Sequence, residues 1–451
     1  MRNKIVVFYF LVFTTISFGQ VSTVTPLSSQ GLGDMSFYGD AYFTGFGGST
    51  VALIDSSQAN FFNPSSYAYI AQGLPIFSVG LIHQESMFEQ DELSSNARFS
   101  GITHMSLAIP LGKRFGLGFG LKPFSRVGYE INNAELVLGD SIFYEYTGKG
   151  EIQEFNVGFS IKLVNSLNHR LAIGANGKRY FGRIENERLS YRKSNLNRIG
   201  AFDQSFLQAR SFGYEFGASY RFSPSPKHTL TLGAYYRNEQ DLDMNAANSR
   251  VFFGSFGNIS SYDTLIPFEN RSGSITLPEK LSGGLTYEFK ASKDSISRSG
   301  RLPSIMLTGE YSMEDWTTYR ENFGEVISSP DLFESFSARF GFQYTPHRII
   351  TDRSTYIKGF QKWSYRFGAY YIATPYQGLG GYQVFDQGVT AGIGIPIVLS
   401  RAVSSVHVSV NYGQRGAVEG VSPIRENYVG VNFGLNIAPS YDRWFTKYQL
   451  D

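Results

Sequence analysis

The sequence predicts an all-β fold, a transmembrane antiparallel β-barrel of 14 strands with an N-terminal hatch in its lumen. Three observations carry this reading: an export signal at the start of the chain, a hydrophobic period of two that recurs to its end, and a Gly- and aromatic-rich composition. Arg2 and Lys4 precede an uncharged, mostly apolar run from Ile5 to Phe18, and small residues Ser17 and Gly19 stand just before Gln20. That is the pattern of a secretory signal peptide spanning residues 1–19. Its apolar run is shorter than the roughly 20 residues a membrane helix needs. The chain has no Cys, so it has no thiol for a lipid anchor, a disulfide or a thiolate metal site.

Composition narrows the choice. There are 48 Gly, 39 Phe and 29 Tyr against 16 Pro, and no later apolar stretch reaches the length of a helical span. The formal net charge is +2, with Lys and Arg scattered, so no basic patch points to a nucleic-acid partner. The period of two is clearest at Phe155, Val157, Phe159, Ile161 and Leu163, which alternate with Glu154, Asn156, Gly158, Ser160 and Lys162. Successive side chains of a strand point to opposite faces, so one face is apolar and the other polar or small. The same alternation recurs at Phe115–Leu121, at Phe212–Tyr220, at Val406–Tyr412 and at Val429–Ile437. Strands are expected near 76–83, 102–110, 115–126, 152–164, 170–183, 206–222, 228–240, 279–290, 303–316, 335–345, 362–373, 387–396, 404–413 and 427–438.

Connections between these segments alternate. Those after Pro110, Val164 and Ser223 are short, whereas 84–101, 127–151, 184–205 and 241–278 are long and are expected to be extracellular loops. The stretch 346–361 is longer than the turn rule predicts. Trp316, Tyr344, Trp363 and Tyr365 fall near strand ends, where interfacial girdles form. The barrel is therefore expected over residues 76–438, its apolar face in outer-membrane lipid, followed by a periplasmic tail at 439–451.

Strand parity then turns the charges inward. Glu154, Glu215, Arg221, Glu288, Glu310, Arg339 and Arg366 are expected to line the lumen, with basic residues in excess. Residues 20–75 contain no Lys or Arg but do contain Asp34, Asp40 and Asp55, together with Phe37, Tyr38, Tyr42, Phe43, Phe46, Phe61 and Phe62. So many rings do not suit a solvated linker, and the segment reads as a plug whose acids offset the lumen's excess.

Within that segment stand TGFGGSTVAL, with Gly47 and Gly48, then Asp55, then FFNPSSYA, with Asn63 and Pro64. These resemble the hatch of long-chain fatty-acid transporter (FadL)-like barrels, where a glycine pair precedes an Asn-Pro-Ala motif; here Ser65 replaces the Ala. The ending DRWFTKYQLD is similar to the branch related to type IX secretion barrels (PorV-like). The resemblance implies a 14-stranded, plugged barrel that carries hydrophobic, fatty-acid-like small molecules to a lateral opening. In the same branch it also implies a different role, an accessory barrel partnering other proteins of an outer-membrane secretion or assembly machine.

Phe252, Phe253 and Phe256 form an apolar cluster in the stretch 241–278, a candidate capture site for a hydrophobic ligand; the alternative is that the rings pack beneath neighbouring loops. The acidic stretch 84–101 is either a docking surface for a basic partner or a solvated face. Pro123 and Pro396 interrupt the alternation and mark candidate wall distortions or strand ends. No enzyme is expected: six scattered His residues form neither a nucleophilic set nor a metal-ligand spacing, and no cofactor is called for. Gly430, Phe433 and Leu435 resemble a barrel insertion signal, and Trp444 and Phe445 of the tail are expected to pack on the periplasmic rim.

Overall fold

A computed structural model of the chain describes residues 25–35, 39–72, 74–137, 140–193, 198–254, 262–291, 302–324, 326–348, 359–378, 380–399, 402–417 and 424–438. The signal segment, Phe256 and the tail with Trp444 and Phe445 lie outside these described residues. The strands are β1 (Ile76–Gln90), β2 (Leu93–Leu111), β3 (Phe115–Val137), β4 (Asp140–Asn165), β5 (His169–Lys193), β6 (Arg198–Ser225), β7 (His228–Arg237), β8 (Gln240–Phe253) and β9 (Tyr262–Leu277). They continue as β10 (Lys280–Lys290), β11 (Ser304–Asp315), β12 (Arg320–Phe323), β13 (Val326–Ser328), β14 (Glu334–Thr345), β15 (Ser364–Gln377), β16 (Gln383–Leu399), β17 (Ala402–Ala417) and β18 (Arg425–Ile437).

Fourteen of these close a single antiparallel barrel. β1 to β7 follow in order, β7 pairs with β10, β10 with β11, β11 with β14, and β14 to β18 return to β1. Closure gives every wall strand a hydrogen-bonded neighbour on both sides over at least part of its length, which is what a sheet in hydrocarbon requires. The outward faces carry Phe159, Phe216, Leu232, Phe340, Phe367, Val410 and Phe433, all exposed as lipid-facing side chains are. Pro396 keeps the β16–β17 register and distorts nothing.

The four remaining strands form an annex on the extracellular side. The first half of β6 pairs with β8 rather than β7, β8 pairs with β9, β9 with β12, and β12 with β13. Here the expected loops are corrected: the described parts of 84–101, 127–151 and 184–205 are almost entirely continuations of wall strands, and most of 241–278 belongs to the paired strands β8 and β9. Loop-like composition misled because these upper segments leave the lipid, and the demand for outward apolar residues ends at the headgroups. β4 is 26 residues long. At about 3.3 Å per residue and a tilt of about 40° it rises far above an apolar band of about 25 Å.

Candidate functional site

The lumen is filled from below by residues 39–72, whose turns are set locally. Asp40 accepts a hydrogen bond from the Tyr42 N–H and caps a turn of helix at Ala41–Thr44. Asn63 caps the 3-10 turn Pro64–Tyr69, with Pro64 at its first position, by accepting from the Ser65 N–H. Asn63 also donates to the Val51 carbonyl at 2.7 Å, tying the two halves of the segment together. Gly47 and Gly48 have φ of 68° and 81°, which L side chains rarely adopt. Gly47 sits against the backbone of Ala369 and Phe340, and its N–H donates to Thr390 Oγ1 at 3.1 Å. Asp55 stays local and caps Ser57. Tyr42 and Tyr67 are buried, which raises both phenols well above their usual range, so both stay neutral. Tyr67 donates to Asn176 of β5 at 3.1 Å.

Wall charges meet this segment and one another in matched groups. Glu310 accepts from the N–H groups of Thr50 at 2.5 Å and Val51 at 2.7 Å, while Arg339 holds its other oxygen at 3.2 Å. Glu154 lies between Lys122 at 3.0 Å and Lys178 at 3.2 Å, and Lys178 reaches Glu215 at 2.5 Å. Arg221 donates to the Ile54 carbonyl. Arg366 stacks on Tyr42 at 4.4 Å and bonds Gln343 and His407. Glu288 pairs with Lys290 two residues along its own strand.

Three inward-facing groups were missed from sequence. Arg415 gathers Asp386 at 3.1 Å, Glu426 at 3.6 Å and Asp34 of the N-terminal segment at 3.7 Å. Glu314 takes Arg237 at 3.2 Å and Lys280 at 2.6 Å. Arg170 faces inward opposite Arg221. Alternation alone was enough to place Arg415 and Glu426 inside, since both continue the polar faces of strands read correctly lower down. The expected offset by the segment's acids is corrected in part: Asp34 meets a lumen cation, but Asp40 is held by Gln58, Ser78 and its own turn.

A cavity of about 270 Å³ lies above residues 44–62. Its wall is mixed: Phe61, Phe62, Phe124, Ile372 and Trp316 alternate with Lys122, Glu154, Lys178, Glu310, Glu314 and Arg415. Over it Leu242 and Met244 of β8, Ile275 and Leu277 of β9, Leu32, Trp316 and Tyr319 form one apolar cluster inside the mouth. Trp316, expected in an interfacial girdle, is buried in this cluster instead because its turn folds inward under the annex. Phe253 is also buried, packed with Leu189 and Tyr191, so it is not a free capture ring; Phe252 is exposed. Among the described residues no group of three or more His, Cys, Asp or Glu is placed to hold a metal.

Among the described residues the wall has a seam between β2 and β3. β2 and β3 pair only from Leu111–Phe115 to Met105–Leu121. Above that, β2 pairs with β1 and β3 with β4, and the β3–β4 register skips a residue between Pro123 and Ser125. Pro123 has no N–H to donate, so a bulge begins where the ladder stops. The N-terminal segment lies along the open edge of β3: Thr25 N–H donates to Gly128 O at 2.9 Å, and Asp34 and Arg126 exchange backbone bonds of 2.7 and 3.0 Å. Arg126 spans the seam, donating to the Ile102 carbonyl at 2.7 Å and stacking on Phe99 at 4.7 Å.

A family model described as BamG matches residues 1–451. No curated protein matches the sequence. Among solved structures, a Pseudomonas aeruginosa FadL homologue is similar with a TM-score of 0.55 at 14% identity, covering 89% of this chain and 98% of its own. The P. putida toluene transporter TodX gives 0.55 at 14% identity, over 90% and 99%. The Ralstonia pickettii toluene transporter TbuX gives 0.51 at 13% identity, over 90% and 99%. At such identities the likeness is one of fold.

Proposed function

We propose, from the premise that this chain belongs to the BamG family, that it is a plugged outer-membrane barrel that passes hydrophobic, fatty-acid-like small molecules through its wall. The observation that carries this reading is the seam between β2 and β3. It starts among the outward residues Met105 and Ile102, which are exposed to lipid, and runs to the extracellular rim. A molecule crossing there stays beside acyl chains and avoids desolvating the ion pairs that fill the axis. Residues 39–72 act as the hatch, with Gly47, Gly48, Asn63 and Pro64 fixing its turns. The similar solved structures, a FadL homologue and two toluene transporters, support passage of hydrophobic small molecules.

A second reading has its own support. The cavity is bordered by matched charges, whereas small-molecule sites are predominantly apolar. The annex and the long β3–β6 wall present a large extracellular surface. Both features suit a non-transporting accessory barrel in an outer-membrane secretion or assembly complex. Mass spectrometry of the detergent-solubilised protein separates the two. A bound hydrophobic molecule at near-stoichiometric amount is expected for passage; a stoichiometric companion protein with no such molecule overturns passage in favour of the accessory role.

A further inference from the structure

In the upper lumen each cation described above lies against a carboxylate, except Arg366, which rests on Tyr42, Gln343 and His407. The periplasmic mouth differs. Lys162, Arg170 and Arg221 face inward on the adjacent strands β4, β5 and β6: Lys162 stands opposite Ala172, and Arg170 directly opposite Arg221. The Tyr69 ring lies among them, 5.1 Å from the Lys162 ammonium and 5.3 Å from the Arg221 guanidinium, and its hydroxyl donates to the Arg170 carbonyl at 3.2 Å.

Arg221 also donates to Thr231 Oγ1 and to the Ile54 carbonyl, and Lys162 reaches the Lys113 carbonyl at 3.5 Å. These partners are neutral oxygens, and among the described residues no carboxylate forms an ion pair with any of the three cations. Asp55, beside Ile54, is engaged in capping Ser57. Like charges directly across two strands are destabilising, so the fold carries an unneutralised pair here that it avoids higher up. The exposed Lys113 and Arg114 of the preceding turn widen the positive field, and Leu167, at the tip of the β4–β5 turn, is 89% exposed.

We propose that this cluster is a docking site for an acidic segment of a periplasmic protein. The three cations point into the barrel mouth, away from the surrounding leaflet, so lipid headgroups are the wrong partner. The patch extends over neighbouring turns and includes an exposed Leu beside the charges, which fits a protein surface better than a small anion. This inference does not depend on whether the barrel conducts.

The test uses the full-length protein in zwitterionic nanodiscs and a fluorescent peptide of alternating Glu and Gly, read by anisotropy. Binding is expected to weaken with salt, and to fall by about tenfold or more in an Arg170→Gln/Arg221→Gln variant, as expected for losing paired charges. Lys at both positions is expected to restore it, which a purely structural role for the guanidinium groups would not allow. Arg170→Gln alone leaves the Arg221 bonds to Ile54 and Thr231 in place and is expected to weaken binding in the same direction without lowering the unfolding midpoint. Equal affinity in parent and Gln variant overturns the proposal. So does complete competition by millimolar inorganic phosphate, which would mark a small-anion site, or association with anionic nanodiscs without any peptide binding.

Discussion

At the residue scale, Glu310 joins the N-terminal segment to the wall. Its side chain is 2% exposed, one oxygen serves Arg339 and the other serves two backbone N–H groups of the N-terminal segment. Glu310→Gln keeps the shape but removes the negative charge that faces Arg339 and the two N–H groups. Removing one partner of a buried pair costs about 3–5 kcal/mol, so the midpoint of denaturant unfolding in detergent is expected to fall clearly. An unchanged midpoint would mean that the Glu310–Arg339 contact contributes nothing. Parity in the sequence proposes Glu154, Glu215, Glu310, Arg339 and Arg366 as inward-facing, and each makes a side-chain contact to a charged or ring partner in the fold. Which cation would meet which acid was not legible, because partners such as Lys178 and Glu215 are brought together by register between strands.

At the element scale, the seam separates β2 and β3 above Met105 and Leu121, and Arg126 spans it. Arg126→Ala removes the bond to Ile102 and the cover over Phe99. Hydrogen–deuterium exchange is then expected to rise over 93–104 and 122–131 while β4 and β5, paired on both sides, stay protected. Exchange that rises equally in β5 would show general loosening instead of a local seam. Pro123 was the only sequence clue to this place, and Pro396 offered the same clue without a distortion. A proline removes one donor wherever it stands, but only the neighbouring strand's course decides whether the loss opens a wall.

At the scale of the whole molecule, the outward belt of Phe159, Phe216, Phe340, Phe367 and Phe433 is exposed, uncovered by any of the described residues. The folded chain is expected to need detergent or lipid, and to run faster on an SDS gel unheated than boiled, because a closed barrel resists SDS at low temperature. Folded, monomeric protein in detergent-free buffer would overturn the inside-out orientation. Within the membrane belt the expected strands match the observed ones to within a few residues. Above the belt the match fails, since the described parts of the segments read as loops at 84–101, 127–151 and 184–205 extend the wall and those of 241–278 form the annex strands β8 and β9.

The sequence by itself determined the barrel, its 14 wall strands and which side chains face lipid, because alternation is a local property imposed by a two-sided environment. Tertiary structure alone decided the strand extensions, the apolar cluster over the mouth, the seam beside Pro123 and the unneutralised cations at the periplasmic end. Each of these depends on which residues lie opposite one another across strands far apart in the chain, and in water above the belt the alternation that would announce a strand is no longer required.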